Sequence, residues 1–115
     1  MFNLNELKKK NVKGLDLFLD KTFAGVCVFQ KIFDEVELRY LAILPEFKRR
    51  GLGKKLFCEF LKRCKKWNIN SIILEVSINN NEALSFYDYF GFETISIRKK
   101  YYKDGSDALV KQKKC

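Results

Sequence analysis

The segment from Leu44 to Lys66 constrains the fold most, because the hydrophobic period of the sequence changes within it. Residues before it alternate as β-strands do, and Pro45 cannot continue a central ladder of hydrogen bonds. After Gly51, apolar residues recur at helical spacing from Leu52 to Cys64, with charged residues between them. A strand therefore ends, a glycine-containing loop turns, and an amphipathic helix begins within one short stretch.

The rest of the pattern predicts further strands and one shorter helix. Strands are predicted at residues 15–19, 22–31, 36–44, 71–77, 92–98 and 108–112. Asn80 is expected to cap a helix that Gly91 terminates. The succession of strand, helix and strand across the loop predicts a βαβ unit. The predicted fold class is α/β, with a mixed, mainly antiparallel sheet, in a single domain spanning residues 1–115.

Composition excludes several kinds of chemistry. The chain has no His, so a general base must be a carboxylate, a Lys, a Cys, a Tyr or a water. Four Cys occur without a CxxC pair, which predicts reduced thiols and no metal site. No apolar run reaches the length of a membrane span, and the N-terminus does not read as a signal peptide. We therefore expect a cytoplasmic protein with no membrane partner.

The formal net charge of +9 favours an anionic partner. Such a partner is a nucleotide cofactor, RNA, a ribosome or an acidic peptide. The alternative interpretation is that the charge serves solubility only. Because basic residues occur along the whole chain, they do not form an isolated nucleic-acid-binding arm, and DNA is not expected as a partner.

The loop from Lys48 to Lys55 has the features of a phosphate-binding site. Gly51 and Gly53 let the backbone approach a ligand, and the amides of the first helical turn favour an anion. Basic side chains at four positions add positive charge: Arg49, Arg50, Lys54 and Lys55. The loop is neither a Walker loop nor a dinucleotide fingerprint. Taken alone, it is equally compatible with a solvated basic helix start.

Three polar residues after this helix are candidates for chemistry. Glu75 is the one charged residue in the strand predicted at 71–77, where a carboxylate suits a general base. The alternative is a polar strand face that Glu75 shares with Ser77. Asn80 and Tyr87 belong to the following helix, and their alternatives are a simple cap and a core aromatic residue.

Together these motifs resemble those of the GNAT acetyltransferases. The segment from Lys48 to Gly53 is similar to the family loop Gln/Arg-x-x-Gly-x-Gly/Ala, with Lys at the first position. The run from Asn80 to Phe92 is similar to the family motif Asn-x-x-Ala-x-x-x-Tyr-x-x-x-Gly-Phe. More narrowly, Leu74 to Val76, the Arg-x-x-Tyr-Tyr run from Arg98 to Tyr102, and Asp107-Ala108 resemble RimI-type ribosomal-protein-alanine N-acetyltransferases.

The resemblance implies a GNAT fold with a βαβ coenzyme-binding core and acetyl-coenzyme A as cofactor, with coenzyme A as product. In the family, a strand end, the glycine loop and the following helix bind the coenzyme. The corresponding residues are Leu41, Ala42, Ile43, Arg49, Arg50, Gly51, Leu52, Gly53, Lys54, Asn80 and Tyr87.

The resemblance also implies roles in catalysis. Glu75 would be the general base and Tyr87 the general acid, while Tyr101 and Tyr102 would line the groove for the acceptor. The implied acceptor is a protein N-terminus, specifically the N-terminal alanine of a small-subunit ribosomal protein.

One departure from the family concerns the N-terminal segment, residues 1–14. Family members usually carry two helices before the first strands, whereas this segment has room for a helical turn or two at residues 3–10. The N-terminal helices are thus expected to be shortened or absent. The groove would be completed by a second subunit in a homodimer or by the protein substrate. Two other functions stay open: acetyl transfer to a small-molecule amine or a lysine, and a non-catalytic basic module associated with RNA or the ribosome.

Overall fold

The computed structural model describes residues 12–115, which divide into two compact units between Asn70 and Ser71. The helical turn predicted at residues 3–10 lies outside the described residues. The first unit contains β1 (Val12–Leu19), β2 (Thr22–Ile32), β3 (Glu35–Ile43), a 3-10 turn (Pro45–Phe47) and α1 (Leu52–Lys66). The second contains β4 (Ser71–Ser77), α2 (Asn81–Tyr89), β5 (Glu93–Arg98) and β6 (Ala108–Lys114). This content confirms the mixed α/β fold class.

The strands of the first unit form an antiparallel meander in the order β1-β2-β3. Leu19 pairs with Thr22 across a two-residue turn. The two turn residues, Asp20 and Lys21, both have positive φ angles of 47° and 71°. A type I′ turn requires positive φ angles at both central residues. The backbone twist of this turn matches the right-handed twist of the two strands that it joins. Asp20 and Lys21 thus join the strands predicted at residues 15–19 and 22–31 by a tight turn.

Helix α1 packs on β2 and β3 through an apolar face. That face consists of Leu52, Leu56, Phe57, Phe60 and Cys64, all of which are buried. The ring centroid of Phe60 lies 4.9 Å from that of Phe29 on β2. Burying aromatic side chains of this size dominates the energetics of a small core. No helix in the described chain is long and apolar enough to span a bilayer.

The end of α1 is fixed by backbone hydrogen bonds. Asn68 has a φ of 56°, and its amide donates to Lys65 O at 3.1 Å. The amide of Ile69 donates to Cys64 O at 3.0 Å, while the Ile69 side chain is buried. This is a Schellman arrangement with Asn in the left-handed position that Gly usually takes. Helix α1 therefore ends just before Asn68, shortly after Cys64, the last residue of the predicted helical pattern.

The second unit pairs its strands antiparallel in the order β4-β6-β5. Along β4, Ile72, Leu74 and Val76 are buried. Glu75 and Ser77 lie on the other face and are half-buried. The alternation predicted for this strand is therefore confirmed, and it places Glu75 on the more open face.

Helix α2 is attached to β6 by two lysines, although none of residues 81–89 is fully buried. Lys111 Nζ lies 2.8 Å from Asp88 Oδ1, and Lys113 Nζ donates to Phe90 O at 2.8 Å. Lys111 is only 5% exposed. The sequence predicts that this strand ends at residue 112, whereas β6 continues to Lys114.

We expect Asp88→Asn to destabilise the protein more than Lys111→Met. Asp88→Asn leaves a buried ammonium group without its carboxylate, which costs about 1–3 kcal/mol. Lys111→Met removes the buried charge and leaves Asp88 largely in solvent, so the loss is smaller. Urea unfolding of the two variants measures the difference. Equal stability of both variants would contradict this account of Lys111.

Candidate functional site

The loop before α1 combines two left-handed residues with a helix start that has no side-chain cap. Arg49 and Gly51 have φ angles of 65° and 73°. Gly51 is the N-cap of α1 and supplies no side-chain cap, and the first turn contains no acidic residue. The amides of the first turn and the positive end of the helix dipole thus favour an anion at this position. The predicted phosphate-binding loop has the geometry that this function needs.

The residues of this loop differ in exposure. Arg49, Arg50, Gly51 and Lys54 are exposed, Gly53 is half-buried and Leu52 is buried, as its place on the apolar face of α1 requires. The guanidinium carbon of Arg50 lies 5.6 Å from the centroid of the Phe47 ring. This cation–π contact orients one cation of the loop while leaving its charge in solvent.

The end of β3 is shaped by a bulge and a glycine that the sequence analysis did not single out. Val28 pairs with Tyr40 and Phe29 with Leu38, so Arg39 is an extra residue in β3. Leu41, Ala42 and Ile43 follow this bulge and are half-buried. The sequence does contain a signal for this feature, namely a glycine inside the pattern of β2. Such a glycine marks a place where another segment of backbone approaches closely.

That glycine is Gly25 on β2, which pairs with Ile43. A Cβ at this position would lie 2.6 Å from Ile43 Cδ1 and 2.7 Å from Ala42 O. Because the second of these atoms belongs to the backbone, a side chain could not be accommodated without moving β3. Gly25 thus permits the backbone path of the predicted coenzyme-binding strand end.

In the second unit, Glu75 forms an ion pair with Arg98. Arg98 Nε lies 3.5 Å from Glu75 Oε2, and the Glu75 side chain is 23% exposed. Glu75 Oε2 itself is buried and has no hydrogen-bond partner among residues 12–115. At 3.5 Å the contact is a loose ion pair rather than a good hydrogen bond. A buried carboxylate oxygen without a hydrogen-bond donor costs free energy. Such unsatisfied groups are typical of residues with a chemical role.

Two tyrosines complete the surroundings of Glu75. The Arg98 guanidinium lies 5.5 Å from the centroid of Tyr101, and the Tyr101 and Tyr102 rings pack edge to face at 5.0 Å. Burial raises the pKa of Tyr102, and the negative charge of Glu75, together with that of Tyr101 once it ionises in alkaline solution, raises it further. The structure thus brings together Glu75 and the two predicted acceptor tyrosines. Arg98 is the first residue of the Arg-x-x-Tyr-Tyr run, but its contact with Glu75 was not predicted from the sequence.

The loop that carries these tyrosines is held by its own polar contacts. The amide of Gly105 donates to Tyr102 O at 2.9 Å, and that of Tyr102 donates to Ser106 O at 3.2 Å. Ser106 Oγ lies 3.3 Å from Ser77 Oγ on β4. Asp104 Oδ1 accepts from the Ser106 amide at 2.8 Å. The loop therefore has a defined path beside the Glu75 face of β4.

Helix α2 positions Asn80 and Tyr87. Asn80 Oδ1 accepts from the amide of Ala83 at 3.1 Å, so the predicted cap is confirmed. Gly91, with a φ of 86°, ends the helix as predicted. Tyr87 is half-buried, and its ring packs against Phe92 with centroids 5.5 Å apart. Its partner Phe92 is buried, so the Tyr87 ring has a fixed support.

A family model and known proteins match this chain. The model described as the acetyltransferase (GNAT) family matches residues 4–92. The ribosomal protein bS18-alanine N-acetyltransferase of Salmonella typhimurium is 33% identical over 100 residues, which cover 84% of this chain and 68% of that protein. The enzyme of that name from Escherichia coli K12 is 32% identical over 90 residues, covering 76% and 61%. The chain thus spans about three fifths to two thirds of these relatives.

Solved structures agree with the sequence comparison. The crystal structure of the ribosomal-protein-S18-alanine N-acetyltransferase from Escherichia coli superposes with a TM-score of 0.85 at 28% identity, covering 90% of this chain and 69% of that one. The PaiA N-acetyltransferase from Thermoplasma acidophilum in complex with coenzyme A has a TM-score of 0.80 at 31% identity, covering 97% and 69%. On this fold, these motifs and the match to residues 4–92, the chain belongs to the GNAT family of acetyltransferases.

Proposed function

We propose that the protein is an N-terminal acetyltransferase that moves an acetyl group from acetyl-coenzyme A to the α-amine of a protein. The arrangement around Glu75 carries the proposal, because a half-buried carboxylate next to two tyrosines suits an amine acceptor. The relatives named for acetylating an alanine of ribosomal protein bS18 support the N-terminal alanine of a small-subunit ribosomal protein as the acceptor.

In this proposal the coenzyme is bound by the residues that the family resemblance implies. Backbone amides from Arg49 to Lys54 hold the pyrophosphate, as the uncapped start of α1 supports. Leu41 to Ile43 pair with the pantetheine arm. The Asn80 cap uses the side-chain oxygen, so its contact with the coenzyme would involve the side-chain N–H groups. The coenzyme would supply the acetyl group as a thioester.

The chain's own residues would handle the protons. An acceptor amine must lose a proton before it attacks, and an α-amine with a pKa of about 7.7–8.0 does so far more readily than a lysine near 10.4. The Glu75 carboxylate would accept this proton, directly or through a water. The Tyr87 hydroxyl would donate a proton to the departing thiolate. Tyr101 and Tyr102 would line the groove beside Glu75.

Incubating the protein with acetyl-coenzyme A and a peptide copy of a bS18 N-terminus tests the proposal. Mass spectrometry should show one added acetyl group on a peptide with a free N-terminus and none on a peptide whose N-terminus is blocked. Acetylation of an internal lysine instead would favour the lysine acetyltransferase alternative. Absence of transfer to any amine would overturn the proposal.

Glu75→Gln and Tyr87→Phe should each lower the turnover of the peptide by about 10²-fold, because each removes one proton-transferring group. Both changes keep the size of the side chain, so circular dichroism and thermal unfolding should match the wild type. Turnover is measured by coenzyme A release at saturating peptide. Wild-type turnover in Glu75→Gln would exclude this residue as the general base.

Gly51→Ala should weaken coenzyme binding, and Gly105→Ala provides a matched control. Both glycines have positive φ angles, 73° and 85°, and a Cβ at either position would meet nothing within 4 Å. Alanine therefore costs a similar conformational strain at both, about 1–2 kcal/mol. Only Gly51 lies in the proposed pyrophosphate loop, so Gly51→Ala should raise the Kd of coenzyme A about tenfold, or about 1.4 kcal/mol. Calorimetric titration showing equal affinities would contradict the role of the loop.

The pKa of the Tyr102 phenol should depend on the charge of Glu75. The negative charge of Glu75 contributes to the raised pKa of Tyr102. Removing that charge in Glu75→Gln should lower the Tyr102 pKa towards its ordinary value of 10.0, while burial keeps it from returning fully. Tyrosinate absorbance across an alkaline titration, with Tyr102→Phe to identify the signal, measures the shift. An unchanged Tyr102 titration would show that Glu75 carries no charge at this position.

A further inference from the structure

Nearly all of the net charge of the chain is concentrated in one short segment. Residues 48–66 contain nine Lys or Arg and one Glu, a net charge of +8 out of +9 for the whole chain. Basic residues do occur along the rest of the sequence, but acidic residues balance them there. The even spread of basic residues therefore conceals a strong local excess of positive charge on α1 and the loop before it.

Part of this charge lies in a row along the solvent-exposed face of α1. Lys55, Lys62, Lys65 and Lys66 are exposed and lie along one side of the helix. Glu59 is the one acid on this side, and its Oε1 lies 3.2 Å from Lys62 Nζ. The opposite side is the apolar face against β2 and β3. We call these four lysines the basic stripe.

Two more cations adjoin the C-terminal end of the basic stripe through Trp67. Lys13 Nζ and the Arg63 guanidinium carbon each lie 5.8 Å from the centroid of the Trp67 ring. The same ring packs on Phe29 at 5.8 Å, so it is anchored to the core of the unit. Trp67 thus positions two exposed cations beside Lys66. Because the ring is already fixed by the core, it loses little further side-chain entropy in doing so.

This end of α1 is separate from the proposed coenzyme loop. Lys62 to Lys66 lie 11 to 15 residues after Gly51, which is about 16–22 Å along a helix. The diphosphate proposed at the start of α1 would neutralise charge there only. The cations of the last turns therefore lie beyond the reach of that diphosphate and are free to serve a different partner.

We propose that the basic stripe, with Arg63 and Lys13, is a docking surface for the phosphate backbone of RNA. A lipid surface would favour an amphipathic helix with an exposed apolar edge, but the exposed large apolar residues include none from α1. A protein partner would need an apolar core to the interface. Rows of Lys and Arg suffice for phosphate contacts. The choice of RNA over DNA rests on the proposed function, because the acceptor named for the relatives is a ribosomal protein.

The test compares two triple variants with equal loss of charge. Lys62→Gln, Lys65→Gln and Lys66→Gln remove three cations of the stripe, whereas Lys21→Gln, Lys103→Gln and Lys114→Gln remove three exposed cations elsewhere. The protein of residues 1–115 is titrated with an RNA hairpin, a DNA hairpin of the same sequence and phosphatidylserine vesicles at several salt concentrations. Gln is nearly as good a helix former as Lys, so the stripe variant should fold. The control changes are all at exposed positions in turns or at the end of β6, so the control variant should fold as well.

The stripe variant should bind the RNA hairpin at least about tenfold more weakly, and its log-log salt slope should be smaller by about two to three. The control variant should bind within about twofold of the wild type, since its changes remove charge but no phosphate contact. Acetyl transfer to a free peptide should be the same in the stripe variant and the wild type.

Several results would overturn the docking surface. These are equal weakening of RNA binding by both variants, DNA bound as tightly as RNA, and stripe-dependent binding to vesicles in preference to RNA. Failure of the proposed function gives a different result, since a wild-type protein without acetyl transfer could still bind RNA through the stripe. If the protein transfers acetyl groups but binds RNA equally well without the stripe lysines, the result contradicts the docking surface and leaves the proposed function intact.

Discussion

The left-handed turn at Gly51 is the constraint on which the first unit depends. It lets α1 begin directly after the basic loop, with no side-chain cap and no acid in the first turn. Such a start is unfavourable for an isolated helix, because positive charge then accumulates at the positive end of the dipole. The helix is held instead by Phe57 and Phe60, which are buried in the core of the unit. Packing thus fixes α1 and leaves its first amides to bind a ligand.

In the second unit, the surroundings of Glu75 are poorly explained by stability alone. A carboxylate that served only to hold the fold would accept hydrogen bonds at both oxygens. Here Oε2 is buried without a hydrogen-bond donor in the described chain, and Arg98 approaches it only to 3.5 Å. The neighbouring Tyr102, whose pKa is raised by burial and by the charge of Glu75, is a neutral phenol that can donate a hydrogen bond. An incompletely satisfied carboxylate beside neutral donors is better suited to accepting a proton than to stabilising the fold.

Local pattern was enough to predict most of the elements and the groups that they carry. The alternation along β4, the Asn80 cap and the Gly91 stop follow from short-range rules and are confirmed. The start of α1 was predicted within one residue, because Gly51 marks it clearly. The mixed α/β class follows from the change of period after Pro45.

What the sequence could not predict depends on contacts between distant residues. The end of β6 was placed too early because Lys113 reads as a solvent residue, whereas the carbonyl of Phe90, just after α2, accepts a hydrogen bond from it. The approach of Arg98 to Glu75 needs the pairing of β4 and β5 with β6, which no local pattern encodes. The bulge at Arg39 likewise appears only once the register of β2 and β3 is known.

The two ends of α1 also differ in how they tolerate positive charge. At the C-terminal end, the dipole favours cations and offsets part of the repulsion between Lys62 and Lys66, which lie four residues apart. At the N-terminal end, the dipole disfavours a positive charge such as that of Lys55, and the first turn itself contains no acidic residue. A bound anion therefore stabilises the helix most where Gly51 opens it. The C-terminal cations can persist without a ligand, so the two proposed anion sites would act independently of each other.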